Sequence, residues 1–323
     1  MTISATTILR SKSQETGKEV ATVMARYPRF IHAELMTHKD FSRNASSSRA
    51  IPIMRLIKDI IRDPAMPIYW GSNKPGMQAG AQLTGWRLWL ARHAWLGAMW
   101  MAIGFALILH WIGLHKQIGN RILEPWAHMN TIITSSRWNN FYALRIHRDA
   151  QPEIHELAKC IKESIAAAPS QVLEHGMWHL PFASRAIDWN AAHAYCKVNR
   201  ITRDEPRYEE KLKHLKLVSV ARCARVSYLT HDGRVTTFEE DRKLADRLIG
   251  SKPLHASPAE HQCTPDRYDQ KDAMMSRHAT KPFDTGNFDA FHSWEPNWEN
   301  PQLHGNLEGW IQHRKQLPSE YVK

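Results

Sequence analysis

The chain has 323 residues, 43% of them hydrophobic and 23% charged, the balance of an ordinary globular protein. That composition excludes a disordered chain, a collagen-like rod and a disulfide scaffold, and the length allows one large domain or two ordinary ones. Lysine and arginine outnumber the acids, 43 against 32, for a net charge of +11, so the expected partners are anionic: phosphates, nucleic acid, a polyanionic cofactor or a membrane surface.

In chain order, Met1 to Glu15 is polar and rich in serine and threonine, which is not the pattern of a secretory signal. Val20 to Arg26 predicts a short strand ended by Tyr27-Pro28. Arg29 to Lys39 predicts a helix, and the polar run Ser42 to Arg49 a loop. Ile51 to Ile61 is a second helix closed by Asp63-Pro64, and the Gly- and Pro-rich stretch Pro67 to Ala81 is a loop. Leu83 to Gly113 reads as a long apolar helix, continued after a break by Lys116 to Trp126. Further helices are expected over Trp138 to Arg145, Pro152 to Ala167 (with proline in the first turn), Lys197 to Lys216, Thr237 to Leu248 and Asn306 to Leu317. Pro253 to Pro265 is turn-rich, and Arg267 to Asn300, polar and aromatic, reads as an insertion.

Ala94 to Leu109 carries no charge and approaches the length of a membrane span. Gly97, Gly104 and Gly113 interrupt it, His110 and His115 end it, and no second span exists. A helix buried in the core or in a subunit interface is therefore expected in preference to a membrane segment. Cys160, Cys196, Cys223 and Cys263 form no C-x-x-C pair, so free thiols in a reducing cytoplasm are expected. Nineteen histidines show no H-E-x-x-H pattern, and no metal site is expected.

Polar chemistry concentrates in four places. Thr37 to Arg49 combines small hydroxyl residues, which let a backbone approach a phosphate, with Lys39, Arg43 and Arg49, which can neutralise it. The same composition suits a solvated basic loop. Ala224-Arg225-Val226-Ser227-Tyr228 presents an arginine and a serine, and His255 to His261 packs two histidines, a serine and an acid into seven residues. Asn139 to Arg145 ends a helical stretch on an arginine that would want an anionic partner.

Together these clusters resemble the motifs of the flavin-dependent thymidylate synthases, the ThyX family. The family signature R-H-R-x-x-S-x-N-x-x-S-x-R-Y aligns with Thr37 to Ala50, with His38, Ser42, Asn44, Ser47 and Arg49 matching. The A-R-V-S-Y element stands at Ala224 to Tyr228, and H-x-[ST]-P-F-E-H at His255 to His261 with Ala259 for phenylalanine. The N-F-L-N-L-R and A-Q-W-E-I elements resemble Asn140 to Arg145 and Ala150 to Ile154. The usual order is changed: the A-R-V-S-Y and H-x-[ST]-P-F-E-H elements, which precede the signature in the common arrangement, here follow it by roughly two hundred residues. Trp310 to Arg314 resembles a degenerate echo of the signature's start.

The resemblance implies an α+β, ThyX-like fold of mixed helices and an antiparallel sheet, with long buried helices at the subunit interface. It divides the chain into residues 1–195, with the signature and the arginine helix, and 196–323, with the other two elements. It assigns His38, Lys39, Asn140, Ser227, His255, Ser257 and Glu260 to FAD, and Ser47, Arg49, Arg145, Arg121 and Glu34 to dUMP. The implied activity is reductive methylation of dUMP to dTMP, with methylenetetrahydrofolate as carbon donor and NADPH as reductant, in a cytoplasmic homotetramer or dimer that binds neither nucleic acid nor membrane. No side-chain nucleophile is implied. Thr37, Lys39, Ala45 and Ala50 depart from the signature, and Glu34 replaces the glutamine usual ahead of it. These departures keep two alternatives open: one-carbon transfer to another pyrimidine nucleotide, such as hydroxymethylation, and a basic nucleic-acid-binding protein without the flavin site.

Overall fold

Two ten-residue strands, β1 (Ser4–Ser13) and β2 (Glu19–Pro28), open the chain as a hairpin in the computed structural model, which describes residues 2–199, 206–226, 236–250, 254–269, 297–318 and 320. β2 pairs antiparallel with β4 (His128–Ser135), and β4 with the short edge strand β3 (Ser42–Ala45). On the far side, β5 (Gln171–Leu173) joins β1 in parallel, giving the order β3-β4-β2-β1-β5. A second, two-stranded sheet pairs β6 (Cys263–Pro265) with β7 (Trp310–Gln312). The fold is α+β as expected, but the sheet is mixed, since the β1–β5 pairing is parallel.

Alternation along the central strands sorts the residues onto two faces. Ala21, Val23, Ala25 and Tyr27 of β2, with Met129 and Ile133 of β4, form one face of the main core. Against it lies α6 (Pro152–Ala167), whose Ile154, Leu157, Ala158 and Ile161 recur at helical spacing and are fully buried. The short helices α1 (His32–Met36) and α5 (Asn139–Arg145) close this core with Leu35 and Phe141. On the opposite face, Met24 and Ile132 meet Cys223 and Val226 at the end of α8 (Tyr208–Ala224). α7 (Ala186–Val198) and α9 (Phe238–Gly250) pack on α8.

That second face also carries buried polar residues that satisfy one another. Gln171 Nε2 donates to Ser11 Oγ (2.9 Å), which lies 2.7 Å from His179 Nδ1. His179 Nε2 is 2.8 Å from Thr22 Oγ1, Thr22 Oγ1 is 2.6 Å from Thr134 Oγ1, and Thr134 Oγ1 is 2.8 Å from His261 Nδ1. Hydrogen bonding of this kind is what makes buried threonine and histidine tolerable.

A third layer joins α2 (Ile53–Arg62) to α3 (Gly85–Trp111) through Leu56, Ile57 and Ile60 against Met99, Ile103 and Ala106. The expectation of a buried α3 is corrected for the chain by itself. Its apolar residues run all round the helix, whereas the body supplies a partner for only one stripe, so Trp100, Met101, Phe105, Ile108 and Trp111 are each more than half exposed. By length and composition α3 is long and apolar enough to cross a membrane.

Other expectations change in detail. The signature loop contains a strand, β3, because Ser42 to Ala45 find the free edge of β4. Residues 306–317 form β7 and a 3-10 turn (His313–Gln316), not a helix. The helix expected over 29–39 is a 3-10 turn (Arg29–Ile31) followed by α1. The continuation of the apolar helix is the single turn α4 (Lys116–Gly119) and a 3-10 segment (Asn120–Trp126) containing Pro125, which cannot supply an amide hydrogen. The helix expected over 197–216 is two, α7 ending at Val198 and α8 starting at Tyr208. Most of the expected insertion, residues 270–296, lies outside the described residues.

Candidate functional site

Strand β3 carries the middle of the signature, so the signature's two halves emerge at opposite ends of it. Four strand residues separate the ends by about 13 Å.

At the first end, residues 37–41 face α5. Arg145 Nε donates to His38 Nε2 (2.9 Å), and Arg145 Nη2 donates to Thr37 Oγ1 (3.1 Å) and the Glu34 carbonyl (3.5 Å). His38 is buried against Phe141 and Phe41, with ring centroids 4.9 and 5.6 Å away. Burial, then the neighbouring Arg145 and Arg43 charges, bring its pKa down to about 4, so the imidazole is neutral and its Nε2 lone pair accepts from the guanidinium. His38, Lys39, Asn140 and Arg145 line one pocket of about 300 Å³. A groove of about 720 Å³ also touches Asp40, Arg137 and Asn140 and runs along Trp138 and Tyr142. Arg137 bridges Asp40 (3.1 Å) and Glu308 (2.9 Å) across it. One carboxylate is not satisfied: Glu34 Oε2 is buried with no hydrogen-bond partner.

At the other end of β3, Ser46 and Ser47 turn into a cleft of about 290 Å³ whose lining includes Arg26, Arg55, Arg62, Asp59 and Asp63. Ser46 is fixed there by its amide, which donates to the Asn130 carbonyl (2.8 Å), and by its Oγ, which accepts from the Asn130 amide (3.0 Å). Arg26 Nη1 pairs with Asp63 Oδ2 at 2.9 Å. Arg49, one residue past Ser48, is exposed and does not line the cleft. Arg121 is half exposed and bonds Glu124 (2.9 Å), the carboxylate that also accepts from Ser48 Oγ (2.6 Å) and pairs with Arg29 (3.2 Å).

The His255–His261 element packs on β3 through its 3-10 turn, Ser257–Glu260. Gln312 Nε2 ties the two together by donating to the Glu260 carbonyl (3.0 Å) and Ser42 Oγ (3.2 Å). Glu260 itself is ion-paired with Arg314, while His255 and Ser257 are exposed. Ser227 lies outside the described residues. Its neighbour Arg225 is held by a buried carboxylate, Nε to Asp241 Oδ1 at 2.8 Å.

Of the residues singled out in the sequence, His38, Lys39, Asn140 and Arg145 therefore share one pocket, with Glu34 beside it. Ser47 lies in the second cleft, Arg121 next to the turn that follows it, and Glu260 in an ion pair. Two cleft residues, His128 and Asn130, belong to none of the motifs. Their signal was positional: they alternate with the core residues Met129 and Thr131, a pattern legible only once 128–135 is a strand. Among the described residues, no group of three or more His, Cys, Asp or Glu side chains is placed to hold a metal ion. Burial pushes the Cys223 and Cys263 thiols up, away from the reactive thiolate.

No family model matches the chain, and no curated protein matches it. Among solved structures it is similar to the UMP/dUMP methylase PolB from Streptomyces cacaoi. The complex of that protein with 5-Br dUMP is 16% identical with a TM-score of 0.40, and the match covers 51% of this chain and 90% of the other. The complex with 5-Br UMP is 17% identical with the same TM-score, over 51% and 89%.

The pocket beside α5 fits an anionic, ring-bearing cofactor such as a flavin nucleotide. It offers a cation at Lys39, a guanidinium aligned by a neutral imidazole, the Asn140 amide and an aromatic wall. The groove continuing from it has room for an extended group.

Proposed function

We propose that the chain is a flavin-dependent methyltransferase of the ThyX type, acting on a pyrimidine nucleoside monophosphate, dUMP in the first instance. The observation that carries this reading is the bond from Arg145 to His38 across 107 positions of sequence. It joins the N-F-x-x-L-R helix to the signature, so two separate motifs of the sequence meet at one pocket. The Ser257–Glu260 turn packed on β3 adds a third motif at the same sheet edge.

On this reading His38, Lys39 and Asn140 hold FAD, and the Ser47 cleft receives the nucleotide. Bound flavin supplies the hydride that reduces the transferred one-carbon unit, with NADPH as its reductant and methylenetetrahydrofolate as the carbon source. The chain's own groups bind and orient: cations neutralise phosphate, and small hydroxyl residues let the backbone approach it. With the two halves of the signature about 13 Å apart along β3, a homo-oligomer that apposes one chain's pocket to another's cleft suits the chemistry.

The exposed side of α3 suits the same assembly. Trp86, Trp89, Trp100, Phe105 and Trp111 are 54–86% exposed, and at about 150–250 Å² per buried aromatic they supply much of the roughly 800 Å² that each partner of a stable interface buries. This supports the reading of the chain as a homo-oligomer.

The test is direct. The purified protein should carry a flavin absorption spectrum and convert dUMP to dTMP when given methylenetetrahydrofolate and NADPH. A colourless protein that cannot be reconstituted with FAD overturns the proposal. A second reading, one-carbon transfer to a different pyrimidine nucleotide, is favoured by Glu34, whose Oε2 is buried without a hydrogen-bond partner. A flavoprotein that makes no dTMP but modifies another pyrimidine would select it.

A further inference from the structure

The cleft beyond β3 contains two side chains that no motif accounts for. His128 and Asn130 lie two apart on β4, so they stand on the same face, opposite the one that Met129 and Thr131 bury in the core. The His128 side chain is 4% exposed, and neither ring nitrogen has a hydrogen-bond partner. Nδ1 is 3.9 Å from Asp63 Oδ2, too far for a hydrogen bond but close enough to set the tautomer. The carboxylate faces Nδ1 and favours the proton there, leaving the Nε2 lone pair as an acceptor. Arg26, which pairs with the same Asp63 carboxylate, also acts on the ring, and Arg55, Arg62 and Asp59 line the same cleft. Asn130 uses its backbone to hold Ser46, and its side-chain amide has no hydrogen-bond partner among the described residues.

We infer that His128 and Asn130 are the base-reading pair of this cleft and that they select a uracil-type pyrimidine over cytosine. The inference rests on the reading of the Ser47 cleft as the nucleotide site. A buried lone pair at His128 Nε2 matches the N3–H that a uracil ring carries and meets a second lone pair at N3 of cytosine. The Asn130 amide can donate to the uracil O4, where cytosine presents an amino group instead. A site built to accept a particular N–H rejects an analogue lacking it far more strongly than a merely apolar site does, because its own polar group is then left buried and unpaired. The remaining lining agrees: Ile51, Pro52 and Val226 offer apolar surface to a flat ring, and the arginines offer charge to a 5′-phosphate.

The experiment is equilibrium titration of the purified chain with dUMP and with dCMP, without folate or NADPH, so that binding is read independently of turnover. Wild type should bind dUMP about 100-fold more tightly than dCMP. His128→Leu should reduce that preference to a few-fold. Asn130→Asp, which replaces the donating amide by an acceptor, should shift the preference toward dCMP, and it serves as an independent test if His128→Leu is unstable by thermal melt. Retention of the full preference in either folded variant overturns the inference while leaving the proposed function standing. Failure of both nucleotides to bind wild type overturns the inference together with the reading of the cleft. Loss of flavin alone, with nucleotide selectivity intact, would overturn only the proposed function.

Discussion

Arg145 donates from Nε to His38 Nε2 at 2.9 Å, a guanidinium held by a histidine that burial and nearby positive charge keep neutral. The two residues depend on each other. A protonated His38 would turn the bond into a repulsion, and an Arg145 without its acceptor would lose its alignment toward the pocket.

Arg145→Ala should therefore weaken the pocket's hold on its anionic ligand about 10- to 100-fold, the usual worth of a charge-assisted hydrogen bond. In steady state this appears as a raised nucleotide KM, or as loss of flavin on purification, with a smaller effect on kcat. The pKa of His38 should move up from about 4 once the guanidinium is gone, which histidine NMR resonances followed through pH 4–7 would report. Arg145→Lys restores charge without the planar fork and should recover only part of the affinity. Unchanged affinity for both ligands would remove Arg145 from the site.

Acid should destabilise this protein earlier than its carboxylates alone would. Burial keeps His38 and His128 near 4, and His179, His261 and His313 near 3, against an ordinary 6.5. The unfolded chain binds protons at these positions below pH 6.5 while the folded chain does not. Stability is thus greatest above 6.5 and falls as the pH drops through the window from 6.5 to 4, and on to 3 for the last three. At pH 5, unfolding should be accompanied by uptake of as many as about five protons at these residues. Melting temperature measured from pH 8 to 4 checks this, and a flat profile below 6 would contradict it.

Asp241 is fully buried and accepts from Arg222 Nε (2.8 Å), Arg225 Nε (2.8 Å) and Thr236 Oγ1 (2.7 Å), while Asp188 accepts from Arg222 Nη1 at 2.6 Å. Removing one member leaves buried charge uncompensated. Asp241→Ala should cost about 3–5 kcal/mol, read by chemical denaturation at pH 7. A cost below 1 kcal/mol would show that the network is solvated.

The exposed side of α3 leads to a prediction about mass in solution. Wild type should sediment as a dimer or larger at micromolar concentration in detergent-free buffer. Met101→Glu with Ile108→Glu, two exposed sites, should yield a monomer with a nearly unchanged melting temperature. A wild-type monomer, or one recovered only with detergent, would count against a self-associating face.

Helices were more legible in the sequence than strands, for reasons visible in particular residues. α6 begins at Pro152 and ends at Ala167 as expected, because Ile154, Leu157, Ala158 and Ile161 mark one face and a proline opens the first turn. β3 was hidden because Ser42-Arg43-Asn44-Ala45 holds no apolar alternation: its serine bonds Asn306 and Gln312, and Arg43 Nη1 reaches the Leu35 carbonyl. β4 was hidden for a related reason, since its Thr131 and Thr134 are buried by pairing with Tyr27, Thr22 and His261 rather than by being apolar. In the site, the motifs that carry His38, Lys39, Asn140 and Arg145 were legible through the resemblance to the ThyX family, and the structure brings these four side chains to one pocket. The cleft histidine and asparagine were not, because their placement depends on which face of a strand they occupy.

The hydrogen-bonded series from Gln171 to His261 has a polarity. One alignment satisfies every link: the Gln171 amide gives to Ser11, Ser11 to His179 Nδ1, His179 from Nε2 to Thr22, and Thr22 and Thr134 in turn to His261 Nδ1. In that alignment both imidazoles carry their hydrogen on Nε2. A residue on β5, at the far edge of the sheet, is thereby linked to a histidine beside the signature strand. Gln171→Glu, which turns the giver into an acceptor, would favour the opposite alignment without touching the turn at the other end.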